Sequence, residues 1–256
     1  MSPRRGVLAA AAAVILLSAV AAGFVIAGTR TPARLGLPAA HAAATASPVA
    51  PADPLTAACG SPPALPPGTG VSGSWVVAPA SEAGFRAHER FAGIQAPHEA
   101  VARTERVAGW MTVRDDGAGV VVIGACVAIG LADLASIDSL PGMNTRDRDG
   151  AVRDMLNIDR HPFARFAIAT PAPVPRGLAT EAGGRVAVAG DLEINGVIRS
   201  ATVALEARTS GGSQVLAAGS TAVVAADYGV EVPKETDFIF VDSNITLEFA
   251  IAFQRP

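Results

Sequence analysis

The side chains of this 256-residue chain that could do chemistry are four histidines, two cysteines and 23 carboxylates, and their spacing builds no familiar reaction centre. His88, His98 and His161 are scattered, with no Cys/His pair at metal-ligand spacing and no H-E-x-x-H. Asp147 and Asp149 lie two apart and Asp154 follows, but this is not the ligand ladder of a calcium loop, and a solvated charged face accounts for the run. No glycine-rich loop precedes a helix to cradle a phosphate, and no G-x-S-x-G is present. A lone serine such as Ser220 means nothing without a base. His161 precedes Pro162 at a strand entry, where packing is the better reading. The expectation is a protein that is not an enzyme and carries no cofactor or metal.

Charge excludes a second class. Residues 71–256 hold 16 basic and 22 acidic side chains with no basic cluster, so no nucleic-acid partner is expected. Nineteen of the 20 basic residues are Arg, which beside so much Ala and Gly reads as coding bias rather than chemistry.

The elements that would position any site are strands. From residue 72 the pattern is short β-branched runs divided by Gly, Pro and Asp, with candidate strands at 72–78, 83–91, 105–114, 119–133, 163–170, 185–193, 198–208, 213–225 and 244–254. In the last of these Ile245, Leu247, Phe249, Ile251 and Phe253 alternate with smaller or polar residues. Asn195-Gly196 between two runs is a strong hairpin signal, because both residues tolerate φ > 0. Only 146–157 has helical character. Eight or nine such strands suggest a closed barrel or a sandwich. Apolar residues fall on one face of most strands, among them Phe85, Val107, Met111, Ile129, Leu131, Phe166, Leu192 and Phe249. They form either a dry core, the default from periodicity alone, or the wall of an elongated cavity that selects hydrocarbon chains.

The N-terminus sets the compartment. Residues 6–28 are 23 uncharged residues preceded by Arg4 and Arg5. As a helix they would span roughly 34 Å, enough for a bilayer core of about 30 Å. The reading is an uncleaved transmembrane anchor over residues 1–30, with a cleaved secretory signal as the competitor. Residues 31–70, rich in Pro and Ala, read as an extended, semi-rigid linker rather than packed chain, holding a domain of residues 71–256 off the membrane. In an exported protein Cys59 and Cys126 can pair and tie the linker to the domain wall; the alternative is a buried Cys126 and a free Cys59.

Seven segments in order bring a family into view. They are Ser74-Trp75 with A-G-F-R-A-H-E at 83–89; A-R-T-E-R-V-A-G at 102–109; L-A-D-L-A-S-I at 131–137; M-L-N-I-D-R-H-P-F-A-R-F at 155–166; G-D-L-E-I-N-G-V at 190–197; A-D-Y-G-V-E-V-P at 226–233; and T-L-E-F at 246–249. Over 72–254 the chain resembles the YceI-like family of exported, lipocalin-like barrels, in particular its actinobacterial branch. The resemblance implies an all-β, eight-stranded antiparallel barrel with one short helical excursion, behind the N-terminal transmembrane helix. It also implies an internal pocket for a polyisoprenoid lipid, such as an isoprenoid quinone or polyprenyl phosphate, export of the domain to the outer face of the membrane, and no catalysis. The competing reading is a filled barrel acting through surface contacts with an envelope partner. Carried over by position, Phe85, Val107, Met111, Met155, Leu156, Phe166 and Phe249 are the wall candidates. Glu89, Arg103, Arg146 and Asp147 are the polar candidates near the mouth, with Arg103 or Arg146 expected beside the lipid head. Arg146 and Asp147 could equally be an ion pair locking the 138–160 excursion onto the barrel. Trp75 reads as packing, and Phe238 and Phe240 as a lid or a membrane-touching tip. Asp149 and Gly150 stand where many members have His and Leu, and Val107 departs from the Phe that the wider family often places before Ala108-Gly109.

Overall fold

A computed structural model describes residues 30–40, 53–65, 68, 70–92, 97–117, 119–141, 143–234 and 239–256. The strands are β1 (Gly73–Val77), β2 (Glu82–Phe91), β3 (His98–Thr104), β4 (Val107–Asp115), β5 (Val120–Gly130), β6 (Ala135–Ser136), β7 (Phe163–Ile168), β8 (Ala172–Val174), β9 (Gly184–Ile194), β10 (Val197–Ser210), β11 (Gln214–Val224), β12 (Ile239–Val241) and β13 (Asn244–Gln254). Two α-helices accompany them, α1 (Pro54–Ala57) and α2 (Thr145–Met155).

The pairing closes on itself. β1 pairs with β4 on one side and β13 on the other, and the ladder runs β4-β5-β7-β9-β10-β11-β13-β2-β3, every pair antiparallel. β1 and β2 follow one another along β13, and β3 runs on into β4, so the wall is an eight-stranded closed barrel. The β9–β10 hairpin turns at Asn195 (φ 51°) and Gly196 (φ 74°), both in the region that a type I′ turn requires.

Four strands escape the sequence pattern: β6, β8 and β12, each of two or three residues, and the longer β3. β3 falls in the gap left between 91 and 105, because its inward residues are the small Ala100 and Ala102 beside outward Glu99 and Arg103. Alanine gives almost no hydrophobic contrast with its neighbours.

The barrel has two distinct ends. At the lower one Val71, Trp75, Val113, Val120, Val215, Ile251 and Phe253 pack into a buried cluster. Over the upper one lies the 131–162 excursion carrying α2, which is stitched to the wall where β6 pairs with β3.

Two parts of the segment read as an extended linker are packed on the barrel. Residues 30–37 lie along the outer wall: Arg30 bridges to Ser139, the Pro32 and Ala33 carbonyls accept from Arg86, and Leu37 packs on Ala78, Leu216 and Ala252. Proline lacks an N–H but keeps its carbonyl, so a Pro/Ala segment still feeds two guanidinium groups. Further along, α1 buries Leu55, Asp53 pairs with Arg106 at 2.8 Å, and Cys59 is bonded to Cys126 of β5, with Cα atoms 5.6 Å apart. Among the described residues no helix is long and apolar enough to cross a membrane, and residues 6–28, read as the anchor, lie outside them.

Candidate lipid-binding cavity

Inside the barrel the two ends do not meet in a solid core. A cavity of about 740 Å³ runs from the lower cluster up to α2, within the range of small-molecule pockets. The inward parity of each strand supplies its wall: Phe85 on β2, Met111 on β4, Phe166 on β7 and Phe249 on β13 all line it, as the sequence suggested. Met155 and Leu156 close the helical side. Val107 does not line the cavity. It sits opposite Ile129 and packs on the cluster around Trp75 instead. Trp75 is buried packing, its indole N–H donating to the Val71 carbonyl.

The polar end is built mainly by α2. Asn144 caps the helix by accepting from the Arg146 N–H, and its amide donates to Asp147. Residues 144, 147, 148, 151, 152 and 155 then face the cavity, the three- and four-residue spacing of one helix side. Asp147 therefore reaches the site, but Arg146 points away and is exposed, so its assignment to the mouth is corrected. The cation that arrives is Arg148. Its Nε donates to Ser136 Oγ (3.1 Å), one Nη to Glu89 (3.3 Å) and the other to Asp138. Asp138 also accepts from the Val101 N–H (2.9 Å) and shares a 2.7 Å hydrogen bond with His98 Nε2. Asp149, where the family often has His, accepts from the backbone and hydroxyl of Ser136.

Glu89, His98 and Asp138 are all buried. Burial pushes the Glu89 carboxyl above its ordinary value despite Arg148 and His98 beside it. Burial would raise Asp138 too, but the hydrogen bonds from His98, Arg148 and Val101 outweigh it and hold the group at about 2. Helical spacing from Met155 picks out Arg148 from the sequence alone; nothing in the sequence points to His98 and Asp138, which meet across 40 residues.

Arg103 is the second correction. Because Ala100 and Ala102 point inward, Arg103 points outward, donating to Glu248 (2.8 Å) and to the Ala33 carbonyl. Arg86 joins it there, 2.9 Å from Glu248 and 2.8 Å from Glu99. This outer cluster holds residues 32–35 against the wall; Glu248 also borders the cavity, whereas Arg86, Glu99 and Arg103 do not line it. Of the two aromatic tip candidates, Phe240 sits on β12 under the Arg90 guanidinium, 4.2 Å from the ring centre, and Phe238 lies outside the described residues.

Compared with known proteins, residues 75–253 match the model of the YceI-like domain. The chain belongs to the YceI-like family. Among solved structures, a polyisoprenoid binding domain from Saccharophagus degradans, implicated in plant cell wall breakdown, is 19% identical with a TM-score of 0.53, covering 72% of this chain and 99% of that one. BcnA from Burkholderia cenocepacia is 17% identical with a TM-score of 0.46, covering 67% and 95%. The Campylobacter jejuni YCEI protein is 15% identical with a TM-score of 0.41, covering 57% and 80%. At these identities the first likeness speaks to fold. No curated protein matches the sequence. Among the described residues no group of three His, Cys, Asp or Glu is placed to hold a metal.

Proposed function

We propose that this YceI-like barrel binds a polyisoprenoid lipid with an uncharged head, without catalysis, at the outer face of a membrane to which residues 6–28 anchor it. The observation that carries the reading is the cavity itself: apolar wall along most of its length, ending in a compact polar network at α2. Burying a prenyl tail there yields about 0.8 kcal/mol per CH₂. The polyisoprenoid binding domain from Saccharophagus degradans, with the same fold, supports the choice of tail.

The charge of the polar end selects the head. Among the described residues Arg148 is the one cation lining the cavity, and its guanidinium is already engaged by Ser136, Glu89 and Asp138. Glu89, Asp147 and Glu248 add carboxylates to the lining. A phosphate would meet these acids without a free cation, and like charges brought together cost several kcal/mol. A carbonyl or hydroxyl, as in a quinone, quinol or prenol, meets no such barrier. Neither Arg103 nor Arg146 is placed to hold a head.

A polyprenol and its phosphate of equal chain length test this, titrated into the delipidated protein. The prenol binding at least about tenfold more tightly, some 1.4 kcal/mol, supports the reading. Tighter binding of the phosphate overturns the choice of head, and binding of neither overturns the pocket.

A further inference from the structure

The barrel's outer wall carries a device that the lipid reading does not use. Residues 30–37 descend the outside from the α2 end to the lower end. Arg30 exchanges two backbone hydrogen bonds with Ser139 (3.1 and 3.2 Å) beside the cavity-lining Leu140 and Pro141. The Pro32 and Ala33 carbonyls then accept from the buried Arg86 and the Ala33 carbonyl from the partly buried Arg103, the Leu35 N–H donates to Glu248 (3.2 Å), and Leu37 reaches the patch of Ala78, Leu216 and Ala252. Arg86 is almost wholly buried there and its Nη2 donates to the Pro32 and Ala33 carbonyls, so lifting the segment would leave a buried cationic donor without those acceptors, which is costly. The contact is therefore a fixed seat rather than a loose tether.

Its direction has a consequence for the membrane. The apolar run ends at Gly28 in the sequence, and among the described residues the first seated one is Arg30. Two residues of chain reach at most about 7 Å. The 40 residues of 31–70 add no slack, because the seat precedes them and they are pinned again at Asp53 and Cys59. The α2 end also shows a half-exposed aliphatic side chain at Ile137, 40% exposed, and the Arg90–Phe240 pair. An aromatic with a cation over it suits a headgroup region.

We propose that residues 30–37 are a strap that turns the α2 end of the barrel onto the bilayer surface, so that the cavity exchanges its lipid directly with the membrane. This rests on the reading of residues 6–28 as an anchor.

The test uses the full chain in phosphatidylethanolamine/phosphatidylglycerol vesicles doped with a nickel-chelating lipid. Spin labels are placed one at a time at Arg146→Cys, on the α2 end, and at Ser213→Cys, in the turn at the opposite end. The two lie roughly 25–30 Å apart along the barrel, from the length of β13 and a typical strand tilt. Strong nickel-induced relaxation at 146 with none at 213 is the expected result. Equal relaxation, or more at 213, overturns the orientation. In a strap variant, Leu37→Ser with Arg103→Ala, the contrast between the labels is expected to be lost while the protein still floats with the vesicles. A contrast that survives in this variant overturns the role of the strap. A chain that does not float overturns the anchor and the strap proposal with it, whereas lipid recovered by extraction reports on the pocket separately.

Discussion

Replacing Met111 by Trp separates an open cavity from a filled core. Met111 lies on β4 between Trp75 of β1 and Ala125 of β5, and its side chain forms part of the cavity wall. The larger indole takes space that about one isoprene unit would occupy. Five carbons at about 0.8 kcal/mol each amount to about 4 kcal/mol, nearly a thousandfold in Kd. Were the interior already packed, the same change would overpack it by about 1–3 kcal/mol, and Tm would fall by roughly 2–4 °C for each kcal/mol. The open cavity predicts lost lipid with Tm held near the parent value. Lipid in the organic extract and thermal unfolding of the same preparation read both. Lipid retained at the parental stoichiometry refutes the internal pocket, and a Tm drop of the overpacking size refutes the open space.

Three further outcomes follow from the geometry. Cys59→Ser opens a cross-link spanning 67 residues, and the chain-entropy relation puts the loss at about 4 kcal/mol; an unchanged guanidinium midpoint would contradict the bridge. Arg148→Met leaves Glu89 and Asp138 buried without their cation and is expected to cost about 3–5 kcal/mol, whereas Arg146→Ala, on the exposed side, stays within about 0.5 kcal/mol in the same denaturation assay. Asp138 is held at about 2, below its ordinary 3.8, so its stabilisation is present above pH 4 and is lost as pH falls towards 2. That stabilisation is on the order of 2 kcal/mol. Glu89, raised, works in the opposite sense and loses its contribution as pH rises through its shifted value. The stability deficit of Asp138→Asn is therefore expected to shrink between pH 5 and pH 2, and a deficit constant over that range contradicts the ionised, hydrogen-bonded Asp138.

What the sequence makes legible follows from residue size and period. β13 is read correctly because Ile245 through Phe253 are large and alternate, and the turn at 195–196 because Asn-Gly tolerates positive φ. β3 is missed because Ala100 and Ala102 carry too little contrast, and the same omission hides the outward parity of Arg103. Eight of the eleven proposed site residues line the cavity; Val107, Arg103 and Arg146 do not. For Arg146 the error is one of helical phase, two positions from Arg148 being roughly half a turn away. The seated strap had no local signal. Its energy comes from carbonyls offered to Arg86 and Arg103, contacts that join residues more than 50 positions apart.

The central claim is that the barrel interior holds a prenyl lipid. Mass spectrometry of an organic extract from the full chain, purified natively from a host that makes isoprenoids, tests it most directly. A stoichiometric polyprenyl species with an uncharged head, absent from Met111→Trp, is the predicted result. A folded protein with an empty extract, still empty after quinones, prenols and polyprenyl phosphates have been offered, would contradict it.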